Sequence, residues 1–219
     1  MRAVDRGDRP ERLPRPSGYA VAWLILFALL GLAACSERVP PLPRLADDAV
    51  VLAFGDSLTH GTGTTVDLAY PAQLQAIIGR RVINAGVPGE TTAGGLARLP
   101  MVLEETDPDL ILLCLGGNDM LRQRPEKETI ANLRAMLRIA RERGIPVVLI
   151  GVPAPRLFSG APDFYAELAA EYGLPYEGEI FNRVLKDPSL KSDTIHANAK
   201  GYRKVAERLA ELLRKAGAV

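Results

Sequence analysis

From Asp47 onward, short apolar runs alternate with stretches whose apolar residues recur at helical spacing, and this alternation predicts a parallel sheet with helices on both faces. Strands are expected near Val50–Phe54, Arg81–Asn84, Leu110–Leu115 and Pro146–Gly151, with a weaker fifth near Pro175–Glu177. Between the third and fourth, Ile130, Leu133, Leu137 and Ala140 fall on one helical face at i, i+3, i+7 and i+10, while Arg134, Arg138 and Arg141 lie off it. Gly144 is placed to end that helix. Ala199 to Lys215 repeats the pattern with Val205, Leu209, Leu212 and Leu213, and no internal repeat is present.

The first strand breaks at Gly55-Asp56-Ser57-Leu58, so Ser57 is expected at the carboxyl end of a core strand, the edge where open α/β sheets bind ligands. The plain structural reading of this tetrapeptide is a turn that caps a helix. Three further stretches bear on the choice. Asn84-Ala85-Gly86-Val87-Pro88-Gly89-Glu90-Thr91-Thr92 follows the second strand and leads into a helix at about Thr92, and Gly89 lets the backbone come close to a bound group. Gly116-Gly117-Asn118-Asp119 ends the third strand, and Asn118 can donate its side-chain amide into the same crevice or serve only an Asx-turn. In Asp193-Thr194-Ile195-His196, just ahead of the last helix, a tight loop lets the carboxylate accept from Nδ1–H and leaves Nε2 facing a serine.

Composition narrows the classes. At 219 residues and 47% hydrophobic content the chain fits one globular domain plus extra segments. Lys+Arg at 27 against Asp+Glu at 26 gives a net charge of +1, so no basic surplus points to nucleic acid. Two histidines and two cysteines, with no CxxC or HExxH spacing, give no reason to assign a metal or any other cofactor. Cys114, inside the apolar run Leu110 to Leu115, is expected to be a buried, unpaired thiol.

The amino terminus reads as a targeting segment. Met1 to Ser17 is rich in Arg, Pro and Asp, and Gly18 to Ala34 is apolar. At about 17 residues the apolar stretch is short for a bilayer span and suits a signal peptide. Leu32-Ala33-Ala34-Cys35 resembles the lipobox of bacterial lipoproteins, which implies lipidation at Cys35 and removal of residues 1–34. An uncleaved anchor helix is the other reading. Ser36-Glu37 after the cysteine resembles the outer-membrane sorting pattern. Residues 35–46, with Val39-Pro40-Pro41-Leu42-Pro43, read as a Pro-rich spacer, and residues 47–219 as the folded domain. The expected location is therefore the bacterial cell envelope, with the domain facing the periplasm on a lipid anchor.

With these stretches in order, the chain resembles the SGNH hydrolases, also called the GDSL family. Gly55-Asp56-Ser57-Leu58 matches the nucleophile block, Gly89 the oxyanion glycine, Gly116-Gly117-Asn118-Asp119 the asparagine block, and Asp193 with His196 the DxxH block. Gly95-Leu96-Ala97-Arg98-Leu99 and Leu121-Arg122 look most like the branch of multifunctional thioesterases, arylesterases and lysophospholipases. The resemblance implies a three-layer α/β/α sandwich around a flavodoxin-like parallel sheet of about five strands. It also implies an acyl-enzyme mechanism with Ser57 as nucleophile, His196 as general base, Asp193 as its orienting partner, and an oxyanion hole from the Ser57 and Gly89 N–H groups and the Asn118 amide. Asp56 is expected to brace the turn. Thr59 stands where the GxSxG elbow needs glycine, which sets the α/β-hydrolase fold aside.

Loops after Asn118 and Gly151 should wall the crevice and bring Met120, Leu121, Pro153, Pro155, Leu157 and Phe158 to the acyl group. Such a wall suits an alkyl chain better than a sugar, whose hydroxyls need partners these side chains lack. The expected substrate is a small-molecule or lipid acyl ester or thioester. The alternatives are a carbohydrate O-acetylesterase using the same residues and a surface lipoprotein that binds without chemistry, which would need no intact Ser57, Asp193 and His196. A dinucleotide site at Gly61-Thr62-Gly63 fails because Val66 replaces the last glycine of the fingerprint.

Overall fold

A computed structural model describes residues 39–155 and 160–219. The expected signal peptide and Cys35 lie outside the described residues, as do Leu157 and Phe158. Among the described residues five strands, β1 (Val50–Gly55), β2 (Arg81–Gly86), β3 (Leu110–Cys114), β4 (Val147–Ile150) and β5 (Tyr176–Glu177), form one sheet in the order β2-β1-β3-β4-β5. All four pairings are parallel. Every residue of β3 and β4 is buried, as strands covered by helices on both faces require.

Eight α-helices among the described residues connect and cover the strands: α1 (Ser57–His60), α2 (Tyr70–Ile78), α3 (Thr92–Thr106), α4 (Gly117–Leu121), α5 (Glu126–Glu142), α6 (Asp163–Tyr172), α7 (Ile180–Lys186) and α8 (Ala199–Lys215). The two helices legible from periodicity are α5 and α8, and their expected stripes are buried at Leu133, Leu137 and Ala140 and at Val205, Leu209, Leu212 and Leu213. Helix α5 ends at Glu142, with Arg143 as its C-cap and Gly144 directly after the cap at φ 71°, where a terminating glycine is expected. Helices α2, α6 and α7 are short and only weakly amphipathic in sequence, so the pattern does not single them out. Cys114 is buried and free, and burial pushes its thiol well above the ordinary value.

Packing begins before Asp47. The Leu42 N–H donates to the Ala216 carbonyl at 2.8 Å and the Leu45 N–H to the Ala218 carbonyl at 2.9 Å. Leu45 is in the core and Val39 and Leu42 rest against it. The prolines around Leu42 read as a free spacer in sequence, yet extended backbone with spaced apolar side chains also suits a strap along a helix end. No helix among the described residues is long and apolar enough to cross a membrane.

The strand order decides where chemistry sits. Strand β1 has β2 on one side and β3 on the other, with Gly55 level with Gly86 and with Cys114. The chain leaves β1 for β2 and then crosses to β3, so the switch point opens a crevice above the carboxyl ends of β1 and β3.

Candidate active site

Ser57 opens α1 directly after β1, and Asp56 caps that helix by accepting the Leu58 N–H at 3.0 Å. Gly55 is required here by space, because a Cβ would collide with the Thr59 side chain and the Cys114 carbonyl. The Ser57 turn is thus pressed against the end of β3.

His196 and Asp193 arrive on the loop that precedes α8. An isolated bridge between Lys191 and Ala197 closes the loop, and the Ser192 N–H donates to the His196 carbonyl at 3.0 Å. Inside it, Asp193 Oδ1 accepts the Ile195 and His196 N–H groups at 2.8 and 2.9 Å, and Oδ2 lies 2.8 Å from His196 Nδ1. His196 Nε2 is then 3.0 Å from Ser57 Oγ. Although partial burial acts to raise its pKa, the bonds from the His196 ring and the two N–H groups outweigh that, and the Asp193 carboxyl sits below its ordinary value.

Asn118 lies on α4, beside the Asp56-Ser57 turn. Its Nδ2 donates to the Glu90 carbonyl at 3.0 Å and, over a longer 3.3 Å, to Asp56 Oδ2. Asp56 therefore braces the turn, as expected, and also touches the amide of the asparagine block. Burial pushes the Asp56 carboxyl up to about 7; bonds from the Leu58 N–H and Asn118 oppose the shift, and the nearby Glu90 and Asp119 carboxylates add to it.

Gly89 adopts φ 80°, a region in which a side chain is strained. A Cβ there would meet only Arg122 Nη2 at 3.6 Å, so backbone conformation, not crowding, asks for glycine. Gly89 does not line the cleft itself but sits on the turn beside it, and its carbonyl accepts from Arg122 Nη2 at 2.8 Å.

The cleft at Ser57 encloses about 350 Å³. Of the expected acyl wall, Leu121, Pro153 and Pro155 line it. Met120 does not. It faces a neighbouring groove with Gln123 and Phe164, which Leu121 and Pro155 border as well. Leu58, Val152, Leu185 and Ile195 add apolar surface that the sequence reading missed, and Asn182, Lys186 and Lys191 line the cleft as well. Leu185, Asn182 and Lys186 come from α7, a helix whose short, mixed pattern gives no reason to place it at this edge.

A buried bracket ties the blocks together. Asp119 accepts the Thr92 N–H at 2.8 Å and the Thr92 hydroxyl at 2.7 Å, which holds the start of α3 against α4. The sequence signal for it is present in the last residue of Gly116-Gly117-Asn118-Asp119, but not its partner, 27 residues away.

Residues 53–204 match the model of the GDSL-like lipase/acylhydrolase family. The chain is 31% identical over 204 residues to an arylesterase of Vibrio mimicus, covering 88% of this chain and 96% of that protein. It is 31% identical over 178 residues to thioesterase 1/protease 1/lysophospholipase L1 of Escherichia coli K12, covering 78% and 86% of the two chains. Among solved structures, the crystal structure of TesA superposes with a TM-score of 0.67 at 29% identity, over 76% of this chain and 99% of that one.

Proposed function

The chain belongs to the GDSL-like lipase/acylhydrolase family and is an ester hydrolase of the SGNH type; on that premise, we propose that Ser57, His196 and Asp193 carry acyl transfer in a cleft suited to alkyl acyl groups. The observation that carries this reading is the continuous relay from Asp193 Oδ2 to His196 Nδ1 at 2.8 Å and from His196 Nε2 to Ser57 Oγ at 3.0 Å.

In the proposed reaction, Ser57 Oγ attacks the acyl carbon while its proton passes to His196 Nε2. Asp193 keeps the ring proton on Nδ1 and stabilises the imidazolium. The carbonyl oxygen becomes an oxyanion held by the Ser57 N–H and the Asn118 amide, with the Gly89 N–H on the adjoining turn as the third donor that the family resemblance implies. Of the two bonds Asn118 Nδ2 makes, the 3.3 Å one to Asp56 is the weaker, and its hydrogen is the one the oxyanion takes. His196 then returns the proton to the leaving group. Water attacks the acyl-enzyme with the same base, and Ser57 is released.

Leu58, Leu121, Val152, Pro153 and Ile195 favour an alkyl chain, since each buried methylene contributes roughly 0.8 kcal/mol. Lys186 and Lys191 give an anionic leaving group, such as a phosphate-bearing thiol or alcohol, a cationic partner. Both features support a lipid ester or acyl thioester over an acetylated sugar. In the cell we propose an envelope lipoprotein held by lipid on Cys35, a reading supported by Leu32-Ala33-Ala34-Cys35.

The test is a p-nitrophenyl ester series from acetate to palmitate, run beside acyl-CoA, lysophospholipid and acetylated sugar. Rising kcat/KM from acetyl to medium chains, with acyl-CoA or lysophospholipid turnover above sugar deacetylation, is expected. Strict preference for acetyl groups would overturn the alkyl reading in favour of a carbohydrate O-acetylesterase.

A further inference from the structure

Arg98 lies on α3, outside the cleft, yet its guanidinium reaches the backbone of β1, which leads into the Ser57 turn, and of β2 beside it. Its Nε and Nη2 grip the Glu90 carboxylate at 2.6 and 2.7 Å. The same Nη2 lies 2.7 Å from the Ala85 carbonyl and 3.4 Å from that of Gly55, and the guanidinium carbon stands 4.0 Å over the Phe54 ring. One rigid planar group thus joins the last residue of β1, the end of β2 and Glu90.

Glu90 is the residue after Gly89, and its carbonyl accepts the shorter bond from Asn118 at 3.0 Å. We propose that the Arg98–Glu90 pair is a positioning clamp that fixes the Gly89–Glu90 turn, and through it the Asn118 amide, relative to Ser57. The proposal rests on the reading of Asn118 as an oxyanion donor.

The physical argument is one of preorganisation. An oxyanion donor is effective only if it is already aimed when charge develops, and an amide on a short helix needs an outside reference for its rotation. The Glu90 carbonyl supplies that reference, and its own position would drift without a side-chain anchor on a turn whose preceding residue is a glycine at φ 80°. A bidentate Arg–carboxylate pair, with side chains only 19% and 8% exposed, fixes direction as well as distance. A lysine at this position would keep the charge but lose the fork and the guanidinium's place over the Phe54 ring.

A clamp that acts through Asn118 must lose its effect when the amide is gone, whereas a merely structural pair keeps its cost in any background. The experiment is a double-mutant cycle on p-nitrophenyl butyrate using Arg98→Lys, Asn118→Ala and the combination, with Glu90→Gln run through the same cycle. Glu90→Gln keeps the shape and one acceptor, and it carries the test if Arg98→Lys does not fold by circular dichroism.

The single clamp variants are expected to lower kcat about tenfold with KM within about twofold, and to cost less than about threefold when added to Asn118→Ala. Full multiplication of the two losses, or unchanged kcat in both clamp variants while Asn118→Ala is impaired, would overturn the clamp. Unchanged kcat in Asn118→Ala itself would instead sink the oxyanion reading on which the clamp depends, and the clamp with it.

Discussion

His196 Nε2 stands 3.0 Å from Ser57 Oγ although 139 residues separate the two in the chain. If these atoms act as one unit, removing either should cost nearly as much as removing both. Ser57→Ala and His196→Ala are each expected to lose almost all esterase activity, with the double variant little worse than either. Asp193→Asn should lose most of the rate as well, since the amide cannot hold the required tautomer. Steady-state kinetics on a short p-nitrophenyl ester decides this, and full activity in Ser57→Ala would reject the mechanism.

Asn118→Ala should lower kcat by about 10²–10³-fold with a smaller change in KM, because the bond to the oxyanion strengthens only as charge develops. A variant that raised KM at constant kcat would make Asn118 a binding residue.

Asp56 gives a pH signature. Its buried carboxyl keeps its proton up to about 7, while in the unfolded chain it releases it near the ordinary 3.8. Between those values the folded state binds more protons, so this group's contribution to stability is present at low pH and is lost as pH rises toward 7. Asp56→Asn should therefore flatten the wild-type decline in Tm across that window and raise Tm above it. Parallel Tm profiles for the two proteins would show that Asp56 does not titrate this way.

The acyl wall can be tested at its lip. Leu121 lines the cleft from α4, and Leu121→Ser should lower kcat/KM on octanoyl esters by several-fold while leaving acetyl esters within about twofold, because only the longer chain buries apolar area against this side chain. Equal reductions on both substrates would mean that Leu121 packs the loop and does not meet the chain.

For the amino terminus, metabolic fatty-acid labelling should mark the wild type at Cys35, and Cys35→Ser should leave an unprocessed, unlabelled precursor. Several acyl chains would hold the domain stably, whereas one alone anchors only marginally. Absence of label in the wild type would refute the lipoprotein reading.

The sequence by itself determined the class of fold and marked the candidate site residues. Ser57, Gly89, Asn118, Asp193 and His196 stand in short stretches at strand ends or before a helix, and such local signals survive in one dimension because turns and caps are decided by neighbours. The DxxH loop is the clearest case, since the bonds that aim His196 all lie within Ser192 to His196. Tertiary structure alone decided what faces what. The order β2-β1-β3 sets Ser57 beside Asn118, and no local pattern encodes strand order. The same holds for Leu185 and Lys186 in the cleft, Leu42 and Leu45 strapped to the end of α8, Asp119 on Thr92 and Arg98 on Glu90. Each is an interaction between elements, fixed by burial and hydrogen bonding across the fold, so residue type and spacing show the parts while packing selects the partners.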